Sequence, residues 1–141
     1  MSHGKLEIAI RFGDCDPAGI VFYANFFRWF DAACWQTFAD RGFSRRALRE
    51  RYEIVGWPIV STSAQFRSPV TEGDLISVET TVERFGASSF DLAYRIVRGD
   101  VLVCEGAERR VWAARSPGDD RKLVPRRIPD EVRAAFGMAG L

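Results

Sequence analysis

Polar and apolar residues alternate from Lys5 to Phe12. Leu6, Ile8, Ile10 and Phe12 fall on one side, and Lys5, Glu7, Ala9 and Arg11 on the other, which predicts a half-buried first strand. The pattern breaks from Gly13 to Gly19, where Asp16-Pro-Ala-Gly19 has strong turn chemistry: Pro fixes φ and Gly tolerates a positive one. From Ile20 to Ala39 the chain is rich in apolar residues and has neither Gly nor Pro. That run is too long for an ordinary strand. It predicts a helix from about Tyr23 to Asp40, stopped by Gly42 and buried on nearly all faces. Phe22, Phe26, Trp29, Phe30, Ala33 and Phe38 cover most of its circumference, so a sheet must wrap it.

Ser44 to Tyr52 reads as a short capped helix whose Arg45, Arg46, Arg49 and Arg51 form a solvated face. Gly56-Trp57-Pro58 opens a strand from Ile59 to Arg67. Alternation then predicts strands over Leu75 to Phe85 and Phe90 to Val97. Gly99-Asp100 makes a two-residue hairpin of type II′ character, leading into a long strand from Val101 to Arg115 in which Gly106 marks a bulge. Ser116 to Lys122 is expected to be a loop, and Pro125 to Met138 a charged tail with a short helix. Short turns between the later strands imply antiparallel pairing. One buried helix against one curled antiparallel sheet is an α+β arrangement. Such a single layer leaves an edge strand and one sheet face uncovered, so a homo-oligomer is expected.

With 141 residues, 47% of them hydrophobic, one domain spanning 1–141 is the natural reading. A net charge of +1 offers no general attraction to nucleic acid. Arg28 and Asp31 interrupt the best candidate for a membrane span. The N-terminus lacks the apolar segment of a signal peptide, which points to the cytoplasm. Cys15, Cys34 and Cys104 are odd in number and widely spaced, so reduced thiols are expected, with no disulfide framework and no metal site. The one histidine, His3, lies in a terminus read as mobile. That argues against Ser-His-Asp or Cys-His catalysis, His-based metal chemistry and His-dependent dehydration. Chemistry must fall to carboxylates, hydroxyls, backbone amides or water.

Asp16 is the first candidate, because it precedes the N-terminus of the long helix. Unpaired N–H groups and a partial positive charge there stabilise an anion or a developing oxyanion. The same residue could simply cap the Pro-Ala-Gly turn. Asp14 reads as a solvated or turn-capping residue, and Cys15 as a small packed one. Asp31 sits two turns along the helix in an aromatic stripe. A carboxylate there needs a partner, either Arg28 or a residue on a neighbouring strand, unless it faces a ligand.

Asp16-Pro-Ala-Gly-Ile-Val-Phe-Tyr-Ala-Asn25, followed by Phe-Phe-Arg-Trp-Phe-Asp31, resembles the signature of hotdog-fold acyl-CoA thioesterases of the 4-hydroxybenzoyl-CoA thioesterase type. Looser similarity continues to about Arg115. The resemblance implies an antiparallel sheet wrapped around one long central helix, assembled as dimers or tetramers with the acyl site at a dimer interface. It implies that Asp16 is the catalytic carboxylate and that the Tyr23 backbone N–H polarises the thioester carbonyl. It is consistent with Asp31 at the far end of the acyl pocket; Trp57, read as a core residue or a pocket wall, and Ser88 are further candidates for substrate contact. No metal or organic cofactor is implied. Some relatives carry a basic run near Phe85 to Ser89 that meets the CoA phosphates; here only Arg84 precedes that loop, leaving Arg109, Arg110, Arg126 and Arg127 as candidates. The implied activity is hydrolysis of an aromatic acyl-CoA. The rival readings are a thioesterase for short aliphatic acyl-CoA or acyl-carrier-protein thioesters, and a non-catalytic acyl-binding protein.

Overall fold

The computed structural model describes residues 2–138. Five strands form the main antiparallel sheet: β1 (Gly4–Ala9), β3 (Ile59–Phe66), β4 (Leu75–Phe85), β5 (Ser89–Arg98) and β6 (Val101–Val111). Their spatial order is β1-β4-β5-β6-β3. A smaller sheet joins β2 (Ile54–Gly56), β7 (Ala113–Ser116) and β8 (Asp119–Pro125) in the order β2-β7-β8. Helix α1 (Ala24–Ala39) packs on the inner face of the main sheet, while α2 (Arg45–Tyr52) and α3 (Asp130–Ala135) are short. This is the α+β arrangement that the pattern predicts.

The alternation of β4 and β5 drives the packing. Ile76, Val78, Thr80 and Val82 of β4 are buried, as are Phe90, Leu92, Tyr94 and Ile96 of β5. They meet Phe26, Trp29, Phe30, Ala33, Cys34 and Phe38 of α1 in one core. Phe30 stacks on Tyr94 with centroids 4.5 Å apart and planes 7° from parallel. Two glycines let the helix sit this close. A Cβ on Gly4 would lie 2.2 Å from Thr37 Oγ1, and one on Gly106 would lie 2.4 Å from Phe30 Cζ. Gly106 is therefore a close-approach site and not the expected bulge. It pairs in register with Tyr94 and Ala64, and the register shift between β5 and β6 falls at Ile96/Val97.

Other expectations need correction. Helix α1 is not buried all round: Ala24, Arg28, Ala32 and Gln36 are exposed, opposite the buried face. Its aromatics do not encircle it, because the sheet covers one side only. Phe12 is 79% exposed, since β1 ends at Ala9 and a single 3-10 turn, Phe12–Asp14, turns its side chain outward. The long last strand is broken at buried Trp112 into β6 and β7. The expected loop at Ser116 is a tight hairpin, with Ser116 opposite Asp119 and Gly118 at φ +86°, as the second central position of a type II turn requires. His3 is pinned to β4. Its N–H donates to the Thr80 carbonyl (2.7 Å), and its Nδ1 accepts from the Val82 amide (3.0 Å). Burial and the nearby Arg41 lower its pKa. Among the described residues no helix is long and apolar enough to cross a membrane.

The contact between Phe30 and Gly106 generates a test. Gly106→Ala forces a methyl into the Phe30 ring and should destabilise the fold by about 1–3 kcal/mol, the usual range for overpacking. Chemical denaturation measures this. An unchanged midpoint would mean that α1 is not seated against the sheet as described.

Candidate active site

The loop before α1 is built by backbone chemistry. The Asp16 N–H donates to the Ile20 carbonyl (2.8 Å), and the Gly19 N–H to the Asp16 carbonyl (2.9 Å). Isolated bridges pair Cys15 with Val21 and Ile20 with Thr71. Asp14 ties this loop to the helix. Its carbonyl accepts from the Phe22 N–H (2.9 Å) and from Asn25 Nδ2 (2.8 Å). Its carboxylate accepts from the Arg11 N–H (2.9 Å) and from Arg28 Nη2 (3.2 Å). Asp14 is thus a brace with both oxygens engaged, and Arg28 belongs to it and not to Asp31.

Asp16 differs. Its Oδ1 accepts from the Ala18 N–H (2.8 Å), the turn-capping bond expected of an Asp before Pro. Among the described residues no hydrogen bond engages its second oxygen. The side chain is half-buried and lines a cleft of about 320 Å³ with Phe12, Cys15, Pro17, Gly19 and Glu72. One residue therefore caps its turn and also presents a carboxylate oxygen.

Tyr23 adopts helical angles (φ −55°, ψ −33°) immediately before α1, whose first turn carries no acidic residue. The partial positive charge of the helix end is therefore not neutralised from within. Among the described residues the Tyr23 and Ala24 N–H groups meet no backbone acceptor, whereas the two amides after them do: Asn25 N–H to Phe22 (2.9 Å) and Phe26 N–H to Tyr23 (3.1 Å). Asp16 and the Tyr23 amide lie at the two ends of one short connection. The Tyr23 ring is 60% exposed and edge-on to Phe22.

Asp31 finds its partner on a strand. Arg110 Nη1 of β6 donates to Asp31 Oδ1 at 2.8 Å. The Arg110 side chain is 2% exposed and that of Asp31 44%. Arg110 also donates through Nε (3.0 Å) and Nη2 (2.8 Å) to Oε1 of Glu108, which is itself buried. The hydroxyls of Tyr94 (2.8 Å) and Thr62 (3.2 Å) donate to Glu108. Removing one partner of such a buried pair typically costs about 3–5 kcal/mol. Reading the sequence missed this network. Its signal was present: Glu108 and Arg110 fall on the parity of β6 that also carries Cys104 and Trp112, the inward one.

Trp57 and Ser88 are not brought to Asp16 within the chain. Trp57 is 4% exposed, stacks on Trp35 at 3.9 Å and 12°, and touches Phe38, Phe90 and Trp112. It is a core residue, and its buried Nε1 has no acceptor. Ser88 is half-buried in the β4–β5 loop, where its carbonyl accepts from the Trp112 N–H (2.7 Å). Of the arginines considered for CoA, Arg110 is locked inside, and Arg109 is bound through Nε (2.7 Å) and Nη2 (3.0 Å) to Asp91. Arg126 and Arg127 are exposed, Arg127 beside Asp130 at 3.4 Å. Burial pushes the Cys34 and Cys104 thiols up to about 12, so neither is a thiolate nucleophile at neutral pH. Among the described residues no cluster of three or more His, Cys, Asp or Glu side chains could hold a metal.

The thioesterase-like superfamily matches residues 10–136 of this chain. The 4-hydroxybenzoyl-CoA thioesterase of Pseudomonas sp. strain CBS-3 is 41% identical over 115 residues, covering 77% of this chain and 81% of that one. The three-dimensional structure of the 4-hydroxybenzoyl CoA thioesterase from that strain superposes with a TM-score of 0.84 at 33% identity, covering 93% and 96% of the two chains. A 1,4-dihydroxy-2-naphthoyl-CoA hydrolase of Prochlorococcus marinus strain MIT 9211 is 30% identical over 107 residues, covering 71% of this chain and 70% of its own.

Proposed function

The chain belongs to the thioesterase-like superfamily, and from that premise we propose that it hydrolyses an aromatic acyl-CoA of the 4-hydroxybenzoyl type to the free acid and CoA. The observation that carries the reading is an Asp16 carboxylate with one oxygen on its own turn, in the loop that leads into a helix N-terminus that no acidic side chain of its first turn neutralises.

The thioester carbonyl rests on the Tyr23 N–H, which polarises it. Asp16 attacks the carbonyl carbon, or takes the proton of a water that does so. The carbonyl electron pair moves onto oxygen, where the amide and the helix dipole stabilise the oxyanion. Collapse re-forms the carbonyl and expels the CoA thiolate, which on the water route takes the proton back from Asp16. After direct attack, water cleaves the acyl–Asp16 anhydride and restores the carboxylate. No histidine is needed, and His3 is bound to the Val82 amide.

Asp31 lies eight residues beyond Tyr23, about 12 Å along the axis, and its side chain leans back towards the helix start. That span suits one aromatic ring with a hydrogen bond at each end. Asp31 then accepts from a ring hydroxyl, in keeping with the hydroxylated acyl groups named for the relatives. Bonds to a charged acceptor are worth roughly 1.5–3 kcal/mol.

A second copy completes the site in this reading. Edge strand β3 is exposed on both faces, with Ile59, Val60 and Phe66 open to solvent, and Phe12, Phe22 and Tyr23 are exposed around Asp16. An apolar rim on a catalytic cleft is what a partner covers.

Asp16→Asn retains an oxygen for the Ala18 amide but loses the charge. Turnover of 4-hydroxybenzoyl-CoA should fall roughly 10²- to 10⁴-fold with the melting temperature little changed. Near-normal turnover would remove Asp16 from the chemistry. Light scattering at micromolar concentration should report a dimer or tetramer; a stable 15.9 kDa species would contradict a shared site.

A further inference from the structure

The acyl specificity proposed above rests on Asp31, but Asp31 does not stand alone. We propose that the buried Glu108–Arg110 pair, clamped by Tyr94 and Thr62, is a positioning device that aims the Asp31 carboxylate at the substrate. Discrimination for hydroxylated aromatic acyl groups then belongs to a network reaching across β3, β5, β6 and α1. This inference rests on the reading of Asp31 as a contact to the ring hydroxyl.

Three observations carry it. First, the network runs from two hydroxyls, one on buried Tyr94 and one on exposed Thr62 of β3, through the buried pair to Asp31. Tyr94 and Thr62 hold Glu108, Glu108 holds two nitrogens of Arg110, and Arg110 holds one oxygen of Asp31. An arginine side chain is long and flexible, so two bonds to one carboxylate oxygen fix the direction of its third nitrogen. Second, exposure rises along the chain: Glu108 and Arg110 side chains are 1% and 2% exposed and that of Asp31 44%. Glu108 and Arg110 are nearly sealed from solvent, Thr62 caps Glu108 from the exposed edge strand, and of the two carboxylates and the guanidinium Asp31 alone is substantially exposed. Third, two carboxylates share one guanidinium, leaving a formal charge of −1 by count (two negative, one positive). Asp31 is therefore held without being fully neutralised, and among the described residues its Oδ2 receives no hydrogen bond. That arrangement favours a hydrogen-bond donor over an anion.

A brace for the fold alone does not require this design. Apolar side chains of similar volume commonly replace a buried ion pair without loss of stability. The hydroxyl on Tyr94 is likewise unnecessary for its stack on Phe30.

The test measures kcat/KM for 4-hydroxybenzoyl-CoA and benzoyl-CoA, with melting temperatures, on the full chain and on Asp31→Asn, Arg110→Lys, Glu108→Gln and Tyr94→Phe. The unaltered protein should favour the hydroxylated substrate about 10- to 150-fold, and Asp31→Asn should abolish most of that preference. Arg110→Lys keeps the charge but loses the fork, and should cut the ratio about threefold or more. Glu108→Gln and Tyr94→Phe, which preserve shape, should lower it in the same direction. A fold brace would lower melting temperatures and leave the ratio alone. If Asp31→Asn collapses the ratio while the other three retain it, the positioning role is overturned and the Asp31 contact stands. If Asp31→Asn leaves the ratio unchanged, the Asp31 contact itself fails, and this inference with it.

Discussion

The seating of α1 on its sheet is the constraint on which everything else depends. Phe30 lies flat on Tyr94 and edge to backbone at Gly106, and Thr37 presses against Gly4. Neither approach tolerates a Cβ. Tight seating fixes the height of the helix over β5 and β6, and so the place where its N-terminus emerges. It also sets Asp31 over Arg110, one turn of sequence from Phe27 and within hydrogen-bonding reach of β6. Packed interiors transmit small displacements because they have few voids to absorb them. A helix that rode higher would separate both ends of the site from their supports.

The carboxylates are sorted by what holds them. Asp14 has both oxygens occupied, by Arg11 and Arg28, and its carbonyl by Phe22 and Asn25. Asp16, two residues on, has one oxygen on its own turn. Glu108 is buried and saturated, while Asp31 is anchored by one oxygen. Four carboxylates of one chemical kind are thus held in four different ways by burial and hydrogen bonding alone. In the proposed mechanism Asp16 and the end of α1 supply the charge, and the one histidine of the chain is bound to the Val82 amide.

Much of this was legible from the residues. Alternation marked β4 and β5 because one face of each is buried, and Ser44 marked the start of α2 through its side-chain cap on Ala47. The turn at Asp16 and the helix start at Tyr23 were legible because Pro, Gly and a long apolar run have local meaning. What failed was non-local. The apolar run hid the one-sidedness of α1, since its outward Ala24 and Ala32 read as core until the sheet is placed. Gly106 looked like a bulge because a glycine in a strand has two meanings, and only Phe30, 76 positions away, decides between them. Asp31 was given a choice of partners, Arg28 in the preceding turn or a strand. The strand prevailed because Arg28 had been claimed by Asp14. Trp57 was open between core and pocket wall, and its stack on Trp35 puts it in the core.

The central claim is that Asp16 and the end of α1 form a hydrolytic site for a hydroxylated aromatic thioester. Its most direct test is the rate of thiol release from a panel of 4-hydroxybenzoyl-CoA, benzoyl-CoA and short aliphatic acyl-CoA thioesters by the purified protein. The account predicts turnover, with kcat/KM greatest for 4-hydroxybenzoyl-CoA. No release above background from any member would make the chain a binding protein, and a maximum among the aliphatic thioesters would contradict the acyl group assigned to it.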